Sequence, residues 1–396
     1  MTFDELAQAL SGPQTATGRR VSTEGALQQV TVFACVRLIA ESIGMLPLIL
    51  YRRVEPRGKQ RATDHPLYTI LHALPNPELT AAELLETMAG HLALWGNAYC
   101  EIEYDNAGRR RALWPLRPDR MTVEVNEANE REYTYQLPAG GTVLLDRYRV
   151  WHVRGWGTEA WVGKSPVALA RESIGLSIAT EEFGSRFFGN DSRPGGILTT
   201  AGKLSKEGAE RMKARWQKAH GGLTNAHRVA VLEEGLTWQA VGIPPEDAQF
   251  LETRKFQEAQ ICQVYRVPPH MIGITDRSTS WGTGIEQQGI GFVTFTLMPY
   301  LVRIAQSVSR DLMTAIERRL LFAEFLTAAL ERGDLKARYE AYNTGRTGGW
   351  LSVNDIRELE NMNPVDGGDG YLQPLNMTEL GDAGDPAAGG ANDGQG

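Results

Sequence analysis

Apolar residues recur at helical spacing in "TVFACVRLIAESIGMLPLIL", where Val32, Val36, Ile39 and Ile43 share one face. The pattern predicts an amphipathic helix over 24–46, running into a strand, "LPLILYRR". A short helix, "HPLYTILHAL", follows. A longer one, "LTAAELLETMAGHLALWG", opens with a capping box from Thr80 to Glu83. After Gly96 the period shortens to two, and "NAYCEIEYDNAGRRRALWPL" reads as a hairpin turned at Asp105–Gly108. "MTVEV", "EYTYQL", "TVLL" and "YRVWHVRGW" add strands. Residues 24–160 thus form an α+β unit with a meandering antiparallel sheet, behind a loose arm of about 22 residues.

The second half is mainly helical. Ser165 to Gly189 reads as one helix, about 36 Å long at about 1.5 Å per residue. An α/β insert follows over 191–244, with a strand "GGILTT", a helix from Ser205 to His220, and strands "RVAVLEE" and "LTWQAV". Met212, Trp216 and Ala219 form the stripe of that helix; Lys206, Lys213 and Lys218 lie off it. A second long helix, "PEDAQFLETRKFQEAQICQVYRV", lacks one clean apolar face. Phe250, Leu251, Phe256, Ile261 and Val264 point to several sides, and Arg254 can pair with Glu258. Such a helix suits a place between neighbouring helices, some from other chains.

The loop "VPPHMIGITDRSTSWGTG" is long for a helix–helix connection. Thr283 and Glu286 make a capping box for the next helix, which is expected to bend near Pro299 and to continue to about 320. A small helical region covers 331–380, with a capping signature at Ser352 and Asp355. The Gly-, Ala- and Asp-rich stretch 381–396 reads as a disordered tail.

With 396 residues, 42% hydrophobic and 22% charged, the chain has room for two or three globular domains. The net charge of −7 gives no reason to expect tightly held nucleic acid. Cys35, Cys100 and Cys262 are far apart in apolar context, which predicts reduced core thiols and no metal site. The seven histidines show no metal-ligand spacing, and no nucleophile motif is present. "NPVDGGDG" holds Asp366 and Asp369 but lacks the acids of a calcium loop, so it reads as a turn. The apolar run near the N-terminus is interrupted by Arg37 and Glu41 and stops at Pro47, too soon to span a bilayer. No cofactor, metal or membrane is expected.

One stretch invites a catalytic reading. "GWGTEAWVGKSP" ends as a P-loop ends, but Gly157 and Gly163 are separated by five residues where four are needed. Trp161 and Val162 are bulky where backbone should approach phosphate, and Pro166 removes an N–H at the helix start. The better reading makes Ser165 an N-cap and Pro166 the first helical residue, and the protein not an enzyme.

Four stretches carry a family resemblance: "VFACVRLIAESIGMLPLILYRR", "HPLYTILHALPNPELTAAELLETMAGHLALWGNAYCEI", "GKSPVALARESIGLSIATEEFGSRFFGNDSRPGGIL" and "DAQFLETRKFQEAQICQVYRVPPHMIG". Together they resemble the portal proteins of tailed bacteriophages, in the branch found in long-tailed phages, prophages and gene transfer agents, over about 25–375. The resemblance implies an α+β subunit of a ring, usually of twelve, at one capsid vertex, with DNA passing through the central channel. It implies a wing (23–164), a stem helix (165–190), a clip (191–244), a second stem helix (245–267), a tunnel loop (268–284), a long kinked wing helix (285–330) and a helical crown (331–380); the flexible arm (1–22) and the disordered tail (381–396) lie outside it. The implied partners are further copies of the chain, double-stranded DNA bound without sequence preference, the terminase large subunit, a head–tail adaptor and the capsid protein.

In that frame Asp276, Arg277, Ser278, Thr279, Ser280, Trp281, Gly282 and Thr283 line the channel, and Phe250, Leu251, Phe256, Ile261 and Val264 lie at subunit contacts. A polar loop on an acidic subunit would let DNA slide, because each Lys or Arg placed on a phosphate adds affinity. Arg277 departs from that pattern: it brakes DNA or pairs with Asp276. Trp281 is either an anchor packed on the following helix or a DNA contact. Two other readings stand beside the portal: an unrelated structural ring or adaptor, and an NTPase resting on "GWGTEAWVGKSP" alone.

Overall fold

The structure is a computed structural model that describes residues 13–55, 58–189, 196–200, 207–208, 210–211, 236–240, 245–274, 283–327, 335–360 and 362–372. It divides into two units, Met1–Leu326 and Thr327–Gly396.

In the first unit, helix α1 (Val30–Gly44) starts where the Gln29 side chain accepts the Val32 N–H at 2.8 Å. The predicted start at residue 24 is a separate 3-10 turn, Gly25–Gln28. The buried face of α1 is the predicted one, Val32, Val36, Ile39 and Ile43. Strand β1 (Leu48–Arg53) follows and pairs with β2 (Lys59–Arg61). Helix α2 (Pro66–His72) precedes α3 (Ala81–Trp95), which opens on the predicted Thr80–Glu83 box. Helix α3 packs along α1, burying Leu84, Leu85, Met88 and Leu92. Each such side chain contributes about 1.5–3 kcal/mol.

The strands do not form one meander. Strand β3 (Asn97–Tyr104) lies between β4 (Arg110–Leu116) and β8 (Val150–Arg154), all antiparallel. Strands β5 (Met121–Val125), β6 (Arg131–Gln136) and β7 (Thr142–Leu145) make a second three-stranded sheet. Tyr99, Leu116, Tyr133, Leu145 and Val150 form the core that joins the two. At its centre the fully buried His152 ring lies 4.3 Å from the Tyr99 ring, between the Tyr133 hydroxyl and Asn97. Burial, reinforced by Arg131, Arg310 and Arg154, holds it well below the usual histidine range, so it stays neutral.

Helix α4 (Pro166–Leu169) and α5 (Arg171–Gly189) replace the single helix expected over 165–189; the chain steps out of helical geometry at Ala170, φ −94° and ψ 10°. Strands β9 (Gly196–Thr200) and β10 (Leu236–Ala240) pair antiparallel. The rest of the expected insert, with Met212, Trp216 and "RVAVLEE", lies outside the described residues apart from two helical pairs, 207–208 and 210–211. Helix α6 (Pro245–Tyr265) packs on α5 and α1. Helix α7 (Thr283–Gly291) passes through a π-helical segment, Phe292–Leu297, into α8 (Met298–Asp311). Trp151 on β8 donates to Ser307 on α8 at 2.8 Å, which fixes that helix against the sheet.

The helix expected to reach residue 320 ends at Asp311. A reciprocal pair ends it: Thr314 N–H donates to the Glu317 carboxylate at 2.6 Å, and Glu317 N–H to the Thr314 hydroxyl at 3.3 Å. A turn of helix, α9 (Glu317–Leu320), then leads into β11 (Leu321–Phe325), whose alternating burial lets it pair with β1, Leu50 facing Ala323. The third three-stranded sheet is therefore β11–β1–β2.

The arm is not loose from Pro13 onward. Thr15 N–H and hydroxyl both donate to the Arg19 carbonyl, closing a hairpin around Gly18 (φ +77°). That hairpin sits on α5. Ala16 N–H donates to Glu172 at 3.0 Å, Arg19 pairs with Glu182, and Thr15 fills the space a side chain at Gly175 would need. Residues 1–12 lie outside the described part.

In the second unit, α10 (Leu335–Thr347) and α11 (Val353–Leu359) are described, α11 opening on the predicted Ser352–Asp355 box. Asn354 holds "NPVDGGDG" as a turn, bonding Val365 N–H and C=O and the Asp369 carboxylate. The expected tail, 381–396, lies outside the described residues.

Candidate functional site

The functional expectations fall on three places: the "GWGTEAWVGKSP" loop, helix α6, and the segment that joins α6 to α7.

The loop is packed as backbone on backbone. A Cβ at Gly163 would lie 2.1 Å from the Gly96 carbonyl oxygen, one at Gly155 2.8 Å from the same atom, and one at Gly157 2.7 Å from the Val162 carbonyl oxygen. Gly96 itself sits at φ +71°. Asn97 clamps the loop, accepting Gly163 N–H at 2.8 Å and donating to the Gly163 carbonyl at 2.8 Å. Ser165 accepts Ala168 N–H at 3.1 Å and donates to the Leu94 carbonyl. The glycines thus let one piece of backbone approach another, and Ser165 with Pro166 starts a helix. The Gly155, Gly163 and Lys164 amides donate to internal partners, the Gly96 carbonyl, Asn97 and the Trp156 carbonyl.

Helix α6 has a buried side and an open side. Ile261, Cys262 and Tyr265 are buried, Ile261 with only 1% of its surface left. The Cys262 sulfur hydrogen-bonds the Cys35 thiol of α1, and with burial pushes Cys35 above the ordinary thiol range. Both cysteines are free and buried, as expected, and so is Cys100. Ile261 is therefore covered by its own chain, which removes it from the expected subunit contacts. Phe256 and Val264 instead remain 64% and 41% exposed. Arg254 pairs with Glu258 at 3.5 Å. Phe250 and Leu251 are helical in backbone, and their side chains lie outside the described residues. Further large apolar groups stand exposed on other elements, among them Val30 and Phe33 on α1 and Ile290, Phe295 and Val302 on the α7–α8 rod. A cavity of about 160 Å³ opens between α1, α5 and α6, lined by Gln29, Thr31, Ser177, Glu181, Arg254 and Ile274.

The joining segment is anchored at its base. Arg266 ends α6 in the left-handed region at φ +55°, with Val267 N–H returning to the Cys262 carbonyl at 3.0 Å. Pro299 carries no N–H and cannot donate to the Phe295 carbonyl four residues earlier. Arg266 Nη1 lies 3.5 Å from that carbonyl, while the Thr296 hydroxyl donates to the Arg266 carbonyl at 2.5 Å. Just before Pro299, where a bend or break is expected, the helix is π-helical over Phe292–Leu297. A 3-10 turn, Pro269–Ile272, and Gly273 at φ +85° then lead away. Asp276, Arg277, Ser278, Thr279, Ser280, Trp281 and Gly282 lie outside the described residues; Thr283 is the first residue of α7. The staple at Arg266 was not foreseen: its sequence signals, a proline after a Thr-containing helix and a residue ending α6 in place of glycine, do not point at each other. Among the described residues no group of His, Cys, Asp or Glu could hold a metal ion, and no helix is long and apolar enough to cross a membrane.

The model of the family described as "Phage portal protein" matches residues 30–361. The chain belongs to the phage portal protein family. Its function is that of the family, a portal protein of a phage or phage-like particle. It is 36% identical over 388 residues to the "Probable portal protein" of Streptomyces phage phiC31, covering 95% of this chain and 84% of that one. It is 32% identical to the "Portal protein" of Enterobacteria phage HK97, covering 96% and 91%. Among solved structures, "Neck of empty GTA particle computed with C6 symmetry" superposes with a TM-score of 0.66 at 26% identity, over 91% of this chain and 99% of that one. The portal match takes in α1, α6 and the joining segment, and leaves the docked hairpin at 13–22 outside.

Proposed function

We propose that the chain is one subunit of a closed ring at a capsid vertex of the virion, through which double-stranded DNA is packaged and ejected. The match to the portal family over 30–361 carries this reading. A related neck computed with C6 symmetry is compatible with a ring of twelve. The open side of α6, with Phe256 and Val264, is compatible with it, offering apolar surface that a neighbouring subunit could cover. In this reading residues 165–190 and 245–267 form the stem, 191–244 the clip, 23–164 with 285–330 the wing, and 331–380 the crown. The clip meets the terminase large subunit and then the head–tail adaptor, and the capsid protein surrounds the ring. The portal acts as a conduit, not an enzyme, and the terminase supplies ATP hydrolysis.

Residues 276–282 are the DNA-facing loop of this proposal, and the Arg266 staple is what holds their base. Shortening 276–282 should leave rings intact, since the helices on either side carry the contacts, and should change the yield of packaged DNA. Parental packaging by a shortened loop would contradict the assignment. Trp281→Ala separates the two roles of that residue: a lower melting temperature marks an anchor, and unchanged melting with altered genome retention marks a DNA contact.

A further inference from the structure

Helix α5 is anchored at one point close to a bend. Among the described residues, Ile174 is its only large apolar side chain that is fully buried. Beyond it the buried residues are Ser177, Thr180 and Gly184, which give the core little apolar area. The near end bends at Ala170, φ −94° and ψ 10°, where the Ile174 N–H still bonds the Ala170 carbonyl at 3.0 Å. The turns after Ile174 therefore rest on polar contacts. Toward α6 the Ser173 hydroxyl donates to Gln260 at 3.3 Å, and toward α1 Gln29 donates to Ser177 at 3.1 Å.

The Pro13–Val21 hairpin holds another side of the helix. Its own frame is closed: Val21 N–H donates to the Pro13 carbonyl at 3.2 Å, and Gly18 N–H to the Thr15 carbonyl at 2.9 Å. From that frame Ala16 N–H reaches the Glu172 carboxylate at 3.0 Å, the Thr17 hydroxyl reaches the Gly175 carbonyl at 3.4 Å, and Arg19 pairs with Glu182. Thr15 sits in the notch at Gly175, where a Cβ would lie 2.6 Å from its Cγ2. The grip runs from Glu172 to Glu182, about 15 Å of helix at about 1.5 Å per residue. Hydrogen bonds and ion pairs near the surface are individually weak, so this grip is releasable without unfolding the core. The cavity of about 160 Å³ lies on the other side, with Ser177 and Glu181 in its wall. Ser177 is about 200° around the helix from Gly175. One face of α5 is thus held by the hairpin, and the face opposite borders space that no side chain fills.

We propose that the hairpin is a releasable strap that sets the tilt of α5. Docked, it holds the helix off the cavity. When Arg19 leaves Glu182 and Thr15 leaves the Gly175 notch, α5 swings about Ala170 toward the cavity. That tilt passes to the chain after α5, beginning with β9. The hairpin precedes residue 30, where the portal match begins, so the strap goes beyond the conduit proposed above and does not depend on it.

The test is hydrogen–deuterium exchange read by mass spectrometry on the full chain, in whatever oligomeric state it adopts, so that the result is separate from ring formation. Gly175→Val fills the notch. It should raise exchange in peptides covering 13–21 and 172–182 by about tenfold or more, while β3 keeps the parental rate. Arg19→Glu removes only the ion pair and should raise the same peptides about two- to fivefold. Adding Glu182→Arg to it should restore the parental rate. Ala34 also lines the cavity. Ala34→Leu combined with Gly175→Val should therefore return 172–182 toward the parental rate, because the longer side chain takes up the space. The proposal is overturned if Gly175→Val leaves the hairpin protected, or if 172–182 stays parental once the hairpin is released, which would make the hairpin a passenger. It is overturned equally if β3 accelerates in step with α5 in both single variants, which would make the hairpin part of the core, or if Ala34→Leu leaves the rise undiminished.

Discussion

Gly163 and Asn97 show at the scale of single residues why a nucleotide-like phrase can be a piece of architecture. The Gly163 backbone lies against Gly96, and the Asn97 side chain bonds both the N–H and the carbonyl of Gly163. Asn97 also accepts from buried His152, so the loop is tied to the core of the two central sheets. Gly163→Ala would drive a methyl into the Gly96 carbonyl. The expected loss is on the order of 2–4 kcal/mol, seen as a lower denaturation midpoint. Lys164→Ala in the same assay should leave the midpoint unchanged, because Lys164 contributes backbone contacts to this packing. If Lys164→Ala removed an ATP turnover shown by the parent, the phrase would be catalytic after all. The sequence already argued for a helix start, through Ser165, Pro166 and the wrong glycine spacing. It did not show that the glycines face other backbone, because that partner, Gly96, lies in another element.

Among the elements, those whose signals are local were legible. The Thr80–Glu83 and Ser352–Asp355 boxes, the turn at Asp105–Gly108 and the apolar face of α1 all stand where the pattern put them. What needed a distant partner was not. Helical periodicity runs strand β11 into the preceding helix because its partner, β1, lies far back in the chain, although "TAIE" at Thr314–Glu317 has the form of a capping box. The Pro13–Val21 hairpin looked like a loose arm because Glu172 and Gly175, which seat it, belong to α5. Helix α6 was rightly read as apolar on several sides, but periodicity could not say which side its own subunit covers. The answer predicts a contrast. Ile261→Asp places a charge in the buried seam with α1 and should yield misfolded or aggregated protein. Phe256→Asp alters only the open side and should give folded protein, by circular dichroism, that sediments as smaller species. Intact rings from Phe256→Asp would place the subunit contact on another face.

For the molecule as a whole, no catalytic constellation was found in the sequence, while helix order and local wording pointed to a portal. The family match and the superposition on a particle neck agree. The contacts that would make a ring lie between chains; a single subunit shows exposed apolar side chains on α6, α1 and the α7–α8 rod, the surface proposed here for them. Imaging of the purified protein by negative-stain electron microscopy measures the central claim most directly. The account predicts closed rings with a central hole wide enough for a DNA duplex. Uniform monomers or dimers under conditions where the protein is folded, or compact particles with no hole, would contradict it.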